Sequence, residues 1–415
     1  MRSTVLAFIA DVHHANHRAM GGAVVAGHNT RACATRRAMR EAAQRLRANV
    51  AIAPGVDNVG VLCVLGDLFD TTRPEPQLIA SAAAALTDDG GDGQASHDTL
   101  VLLGNHDMVS TAYGDNALAP LHFMAGTTVV EKPRRLCYPG VELICVPFQP
   151  GIASTWLPAA LEEACAPQSA AAANGDPEPS RRDLRPARVV RVLLLHLGLR
   201  DVHTPPWLRG AADSIDVDAL YALCAQHNID AVYAGNWHSR REWAFPREPA
   251  VSMVQVGALV PTGFDNAGLT GYGGVEFLVV TTDDSGDNAE TVATAREEVP
   301  GPRFVTVRSE KEARRAVEDA GTNTLYLRWV VDTPDQLESA SQKMRAAIEA
   351  EAVFDGRVDL ADTAAKAAGA QAAAAARDAT TFAQALAQFV EAMPLDPGVD
   401  RAEVLTLART YLNVG

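Results

Sequence analysis

The sequence predicts an α/β fold over its first two thirds, and three observations lead to this prediction. Short apolar runs rich in Val, Leu and Ile recur with little strict alternation, as in strands buried on both faces of a sheet. Stretches with helical spacing of apolar residues lie between them, for example at 36–47 and 217–226. Polar residues follow directly after several runs, at the carboxyl ends where open α/β sheets bind their ligands.

The predicted strands lie within residues 1–285, and each is a short apolar run bounded by polar or turn residues. In chain order they are residues 5–10, 60–65, 100–103, 141–147, 189–195, 229–234, 251–256 and 275–280. Residues 166–187 are rich in Ala, Pro and Ser, which predicts a long surface insertion. A polar stretch at 282–288 ends this first unit.

A smaller α+β unit is predicted at 298–355. Its predicted elements are strands at 303–307 and 324–331 and a helix at about 335–351. Residues 356–380 are rich in Ala, which predicts a linker or a helix, and helical spacing within 381–415 predicts a tail of two helices. The strand and helix pattern at 298–355 fits either a generic appendage or a domain with its own role. The tail helices could contact a partner or their own domain.

Composition limits the class of protein. The chain has 415 residues, with 36 Lys plus Arg against 51 Asp plus Glu, which gives a formal net charge of −15. Apolar residues make up 47% and charged residues 21%, which excludes a largely disordered chain. No apolar run approaches the ~20 residues of a membrane-spanning helix, and no signal peptide is indicated. We therefore expect a soluble, cytoplasmic protein with no membrane association.

Neither the charge nor the cysteines identify a ligand. An acidic chain is a poor match for DNA phosphates, but bound metal ions can supply positive charge locally, so a nuclease is not excluded. The six cysteines are scattered without a CxxC pair, so neither a thiolate zinc site nor a disulfide framework is indicated.

Five predicted strands are followed by residues that can bind metal. In chain order these are DVH at 11–13, GDLFD at 66–70, GNHD at 104–107, the lone His196 and GNWH at 235–238. An isolated Asp after a strand is usually a turn or capping residue, but these five sets can converge on one crevice. Carboxylate, imidazole and amide groups bind divalent metals, and a shared carboxylate can bridge two ions roughly 3.5–4 Å apart.

This ordered set of motifs resembles the calcineurin-like metallophosphoesterase superfamily. The GDLFD and GNHD motifs and the C-terminal region are similar to the SbcD-type DNA repair nuclease subunit, of a bacterial cell or a phage. The resemblance implies a four-layered α/β/β/α sandwich over 1–285 as the nuclease domain. It further implies a capping domain at 298–355 and a helical tail at 381–415 that docks on an ATPase subunit.

The resemblance also implies a site with two divalent ions, with Mn²⁺ favoured over Mg²⁺, Fe²⁺ and Zn²⁺. The residues implied as metal ligands are Asp11, His13 and His238 for the first ion, Asp67 as the bridge, and Asn105, His196 and Asn236 for the second. His106 would be the general acid for the leaving oxygen, and Asp70 would orient it.

Position 236 departs from the family pattern, which has His where this chain has Asn236. An amide oxygen can bind a metal but is usually a weaker ligand than imidazole, so the second site is expected to be weaker or biased toward Mn²⁺ or Mg²⁺. A partly degenerate enzyme is the other interpretation. Arg240 and Arg241 follow His238 directly and are candidates for contact with a substrate phosphate.

The leading hypothesis is a metal-dependent DNA exonuclease and endonuclease subunit of an SbcCD-like end-processing complex. Its expected partners are DNA and an SbcC-like ATPase subunit, and a homodimer is left open. The alternative is a stand-alone phosphodiesterase or phosphatase for small phosphate esters. A further alternative is a DNA-binding scaffold subunit whose catalysis is weakened at Asn236. A capping domain would favour the nuclease over the small-ester enzyme, and metal stoichiometry would separate both from the scaffold.

Overall fold

A computed structural model gives the fold around two six-stranded sheets. The structure describes residues 1–18, 20–87, 97–110, 114–166, 188–205, 208–245, 250–264, 273–283, 289–321, 323–361, 382–392 and 400–411. The predicted insertion at 166–187 and the Ala-rich stretch that follows residue 361 lie outside these residues, apart from residue 166.

The first sheet contains the N-terminal strand at its centre. Its strands are β1 (Arg2–Ile9), β2 (Val59–Val64), β3 (Asp98–Leu102), β4 (Thr127–Val130), β13 (Gly274–Thr282) and β14 (Ala289–Glu298). The spatial order is β14-β13-β1-β2-β3-β4, with β1 to β4 parallel and β13 antiparallel to both of its neighbours. Every residue of β1 after Arg2 is buried, which explains why this strand is a continuous apolar run in the sequence.

The second sheet has the same size and a similar parallel centre. Its strands are β5 (Arg134–Tyr138), β6 (Val141–Val146), β7 (Val190–His196), β10 (Ala231–Gly235), β11 (Arg241–Phe245) and β12 (Val251–Gln255). The order is β11-β12-β10-β7-β6-β5, and only the edge strands β5 and β11 are antiparallel to their neighbours. A short parallel ribbon, β8 (Gly198–Arg200) with β9 (Ser214–Asp216), extends from the end of β7.

The two sheets pack face to face, and helices cover their outer faces. Side chains of both sheets form one buried cluster, in which the Phe8 ring stacks on Tyr233 with centroids 3.8 Å apart. The covering helices are α1 (Thr30–Ile52) and α2 (Pro76–Thr87) on the first sheet and α3 (Ala153–Cys165) and α4 (Val217–Gln226) on the second. This arrangement confirms the predicted α/β/β/α sandwich.

The C-terminal unit is a three-stranded parallel sheet with two helices on one face. Its elements are β15 (Arg303–Val307), α5 (Glu310–Ala320), β16 (Leu325–Val331), α6 (Pro334–Glu349) and β17 (Asp355–Leu360). Leu327 and Trp329 of the sheet pack against Ala316 and Met344 of the helices. The predicted strands and helix are present, and β17 continues the unit beyond the predicted boundary at residue 355.

Two helices form the described part of the tail, α7 (Phe382–Ala392) and α8 (Arg401–Tyr411). Arg401 Nη1 donates to the carbonyl oxygen of Glu391 at 2.6 Å, which ties the start of α8 to the end of α7. Among the described helices, none has both the length and the apolar character to cross a bilayer. All six cysteines are free thiols, as the sequence predicts.

Candidate metal centre

The motif residues meet where parallel strands of both sheets end. Asp11 follows β1, Asp67 follows β2, and Asn105 follows β3 of the first sheet, whereas His196 ends β7 and Asn236 follows β10 of the second. Because the sheets face each other, the carboxyl ends of these strands bring the side chains into one crevice. The structure thus brings together the residues that the sequence singles out.

The first candidate ligand group contains Asp11, His13 and His238, whose ligand atoms lie within 4.8 Å of one another. Asp11 is fully buried and His13 nearly so. The Nε2 atoms of His13 and His238 are 3.1 Å apart, so both imidazoles present the same ring atom to one point. Two imidazole nitrogens and a carboxylate around one point form a donor set that suits a divalent cation.

The second candidate group contains Asp67 and His196 and again includes Asp11. Oδ2 of Asp67 lies 3.4 Å from Nε2 of His196 and 3.8 Å from Nε2 of His13. Asn105 Oδ1 lies 2.9 Å from the same His196 nitrogen. The Asp67 carboxylate is therefore between the two groups, where the resemblance expects a bridging ligand.

The charges of these buried residues depend on one another. Burial raises the pKa of Asp11 to about 6, although the neighbouring His196 opposes the shift. Burial alone would lower the pKa of His196, but the charge and hydrogen bond of Asp67 outweigh it and raise the pKa to about 9. Burial would likewise raise the pKa of Asp67, but His196 and His13 hold it below its usual range. Divalent ions bound beside these carboxylates would add to the positive charge that the histidines supply.

Four candidate ligands adopt the left-handed backbone region, with φ of 48° at Asp11, 47° at His13, 51° at Asp67 and 85° at Asn236. Residues other than Gly seldom adopt this region, and such residues cluster at functional sites. Backbone hydrogen bonds between the first two motifs hold the conformation, since the His13 N–H donates to the Asp67 carbonyl at 3.0 Å. The chain therefore maintains a strained geometry at the residues expected to bind metal.

Two motif glycines allow the close approach of the ligands. A Cβ at Gly66, where φ is +88°, would lie 2.1 Å from His196 Nδ1. A Cβ at Gly104 would lie 2.2 Å from both the backbone nitrogen and Oδ1 of Asp67. The GDLFD and GNHD motifs need these glycines because any side chain would occupy the space of a neighbouring ligand.

His106 lies at the edge of the site with its side chain exposed, and its ring centroid is 4.8 Å from that of His13. Its backbone N–H donates to Asp67 Oδ1 at 2.9 Å. Its Nδ1 is 3.4 Å from the backbone oxygen of Asp70, whereas the Asp70 carboxylate lies 3.1 Å from Nδ1 of His13. Asp70 therefore contacts the predicted general acid through its backbone, and its side chain contacts a candidate metal ligand.

Sequence reasoning assigned no role to two further residues at the site. The buried Asp107 carboxylate accepts from the backbone N–H groups of Gly104 at 3.0 Å and Phe69 at 3.1 Å, which joins the second and third motif loops. Asp213 accepts from the side-chain amide of Asn236. Asp107 could be found as the last residue of GNHD, but Asp213 belongs to no motif.

The two arginines that follow His238 are paired with carboxylates. Arg240 Nε donates to Glu276 Oε1 at 2.6 Å, and its Nη2 donates to Glu242 at 3.1 Å. Arg241 Nη2 donates to Asp201 Oδ2 at 2.7 Å. Their predicted contact with a substrate phosphate stays a prediction, and their charge is already balanced within the protein. The metal-ligand and catalytic roles of the other motif residues likewise stay predictions.

Two solved structures are distantly similar to this chain. A protein assigned as a 5′-nucleotidase from Staphylococcus aureus, in complex with alpha-ketoglutarate, has a TM-score of 0.38 and 14% identity over 76% of this chain and 58% of its own. The purple acid phosphatase PPD1 of yellow lupin (Lupinus luteus) seeds has a TM-score of 0.37 and 11% identity over 71% of this chain and 53% of its own. This chain thus spans a little over half the length of either protein.

Similarity this distant does not support the resemblance to SbcD-type subunits. No curated protein sequence matches the chain. Residues 4–240 match the calcineurin-like phosphoesterase family, and this segment contains both candidate ligand groups. Because the match covers more than half of the chain, the chain belongs to the calcineurin-like phosphoesterases, which are metal-dependent hydrolases with a dinuclear metal site.

Proposed function

We propose that the chain is a metal-dependent phosphodiesterase with a two-ion site. The position of the Asp67 carboxylate carries this proposal, because it lies 3.4 Å from His196 and 3.8 Å from His13 and so between the two ligand groups. When bound there, two divalent ions would neutralise charge that develops on the phosphate and activate the attacking water. Both contributions accelerate the hydrolysis of a phosphoester.

Polar contacts at Nδ1 of the two buried imidazoles set which nitrogen can bind a cation. Nδ1 of His196 donates to the carbonyl oxygen of Leu65 at 2.7 Å, which leaves Nε2 facing the site. Nδ1 of His13 lies 3.1 Å from the Asp70 carboxylate, which leaves Nε2 of this ring facing His238. Carboxylate and carbonyl partners of this kind fix the tautomer of ligating histidines and increase their basicity.

His106 is the residue that we assign to proton transfer. Its side chain is exposed at the edge of the site, so it can reach a leaving oxygen that the buried ligands cannot reach. The Asp70 carbonyl accepts from Nδ1 at 3.4 Å, so Nε2 is the nitrogen left for the leaving oxygen, and the imidazolium form of the ring would donate its proton from there. An alkoxide leaving group needs this proton, which supports an ester of an alcohol as the substrate.

We propose a DNA strand as the substrate. The C-terminal unit supports this choice because it packs against the segment that follows the first metal motif. The absence of a side chain at Gly22 accommodates the Phe354 ring, since a Cβ there would lie 2.7 Å from it, and the Arg31 guanidinium lies 5.0 Å above the Phe304 ring. A second unit packed against this segment would extend the surface available to a long substrate, which a small ester does not require.

A small phosphate ester is the second candidate substrate, and one observation favours it. Arg240 and Arg241 are balanced by carboxylates, and the chain carries a net charge of −15. DNA-binding surfaces normally use Lys and Arg to contact phosphates.

If the proposed substrate is DNA, the tail helices α7 and α8 are the segment that we propose for docking an SbcC-like ATPase subunit.

The experiment measures hydrolysis of end-labelled duplex and single-stranded DNA, bis(p-nitrophenyl) phosphate and p-nitrophenyl phosphate in Mn²⁺. We expect cleavage of DNA and of the diester, loss of both with EDTA, and faster DNA cleavage when the ATPase subunit is added. The Asp67→Ala variant is the control for a contaminating nuclease. Hydrolysis of the small esters without DNA cleavage would replace the nuclease with the second candidate. A protein that binds fewer than two ions and hydrolyses none of these substrates would support the scaffold alternative.

A further inference from the structure

The side-chain amide of Asn236 is held by a residue outside every motif. Its Nδ2 donates to the backbone oxygen of Asp213 at 3.1 Å and to Oδ2 of the same residue at 3.0 Å. Both partners are acceptors, so the amide nitrogen must face Asp213, and both of its hydrogens are used. The remaining polar atom of the carboxamide, Oδ1, is therefore the one that can meet a cation.

Backbone contacts fix both residues of this pair. The Asn236 N–H donates to the two carboxylate oxygens of Asp11 at 2.9 and 3.1 Å, which keeps Asn236 beside a candidate ligand. The Gly198 N–H donates to the Asp213 carbonyl at 3.0 Å, and Gly198 begins the strand that follows His196. Asp213 is thus attached to the chain segment that carries another candidate ligand, although it lies 23 residues before Asn236.

We infer that Asp213 is a positioning residue for the second metal ion. It orients the side chain of Asn236 and makes the amide oxygen of Asn236 a stronger ligand. This inference rests on the metal-dependent chemistry proposed above. An acceptor carboxylate withdraws no charge from the amide but polarises its N–H bonds, and this increases electron density on the oxygen. Carboxylates that hold ligating histidines act in the same way. Asp213 therefore offsets part of the loss in ligand strength caused by the amide at position 236.

The test measures Mn²⁺ binding to the full-length protein without substrate, by calorimetric titration and by the spin-coupled electron paramagnetic resonance signal of a Mn²⁺ pair. In Asp213→Ala we expect the first ion to bind as in the wild type and the second to bind ~10–100-fold more weakly. The spin-coupled signal should then need correspondingly more Mn²⁺. Asp213→Asn keeps an acceptor oxygen and should lose less affinity, which also provides a conservative variant if the Ala variant folds poorly.

Asp216→Ala is the matched control. This carboxylate lies three residues further on and caps α4 by accepting from the Asp218 N–H at 3.0 Å, so its loss should lower thermal stability without weakening the second ion. In an Asn236→Ala background, Asp213→Ala should have no additional effect on the second ion. In an Asn236→His background the second ion should bind more tightly, and its affinity should depend less on Asp213.

Three outcomes in the variants would overturn the inference: unchanged binding of the second ion in Asp213→Ala, an equal loss in Asp216→Ala, or a full loss from Asp213→Ala when Asn236 is already Ala. A wild-type protein that takes up one ion only would also overturn it. None of these measurements uses hydrolysis, so a failure of the proposed DNA substrate is distinguishable from a failure of this inference.

Discussion

Substitution of Gly104 by Ala perturbs the bridging ligand without removing any ligand. The added Cβ would lie 2.2 Å from both the backbone nitrogen and Oδ1 of Asp67, so Asp67 must move. The displaced oxygen is also the acceptor of the His106 N–H at 2.9 Å. Overpacking of this kind typically costs about 1–3 kcal/mol. If the whole cost falls on metal binding, the affinity for Mn²⁺ decreases by roughly 5- to 150-fold.

The assay is calorimetric titration of the metal-free protein with Mn²⁺, together with thermal unfolding of the same sample. Gly263→Ala is the matched control, because no atom of the residues that the structure describes lies within 4 Å of a Cβ at that position. We expect weaker binding and lower activity in Gly104→Ala and no change in Gly263→Ala. Two ions bound with wild-type affinity in Gly104→Ala would refute the reasoning, because the Asp67 carboxylate would then not be confined by this glycine.

Three further outcomes are expected. Asp67→Ala should lose most bound metal, whereas Asp70→Ala should keep both ions with ~10–100-fold lower affinity. Elemental analysis and titration of both variants would show this difference. Equal loss of metal in both variants would contradict the contact of Asp70 with His13. His106→Ala should lower turnover of DNA by ~10²–10⁴-fold with little change in DNA affinity, and a nitrophenyl diester should recover part of the loss. The raised pKa of His196, about 9 without metal, means that its imidazole must release a proton to bind an ion. Mn²⁺ affinity should therefore increase from pH 6 toward pH 9 with measurable proton release, and a pH-independent affinity would exclude this linkage.

The sequence predicts the centre of the fold well and its edges poorly. Strands such as β1, β2 and β7 are buried on both faces, so their apolar runs are unambiguous. The edge strands β11 and β17 contain charged residues and are only partly buried, so they carry no comparable signal. Helix α5 was also missed, because the only residues it buries are three alanines among charged neighbours.

The candidate site follows the same division. The predicted ligands lie at the ends of central strands, and the order of their motifs along the chain is enough to predict that they meet in one crevice. The contacts of the supporting side chains depend on tertiary structure instead. Asp70 lies three residues after Asp67, yet its carboxylate meets His13 rather than His106. Asp213 reaches Asn236 only because the β8–β9 ribbon folds back beside it, and no sequence pattern indicates this.

The left-handed backbone of the four ligands has a consequence for the evolution and engineering of this protein. Asp, Asn and His adopt this region more readily than most residues, so each ligand costs on the order of 1 kcal/mol and the four together roughly 4 kcal/mol, still a sizeable share of the net stability of a typical domain. The backbone of the metal-free site thus lowers the stability of the fold, and the packing of the two sheets must offset this cost. Replacement of such a ligand by Gly would relieve its strain while abolishing its ligand atom, and the inactive protein could unfold at a higher temperature than the active one. Relief of backbone strain and metal binding therefore make opposite demands on these four positions, and a variant chosen for stability alone would lose the site.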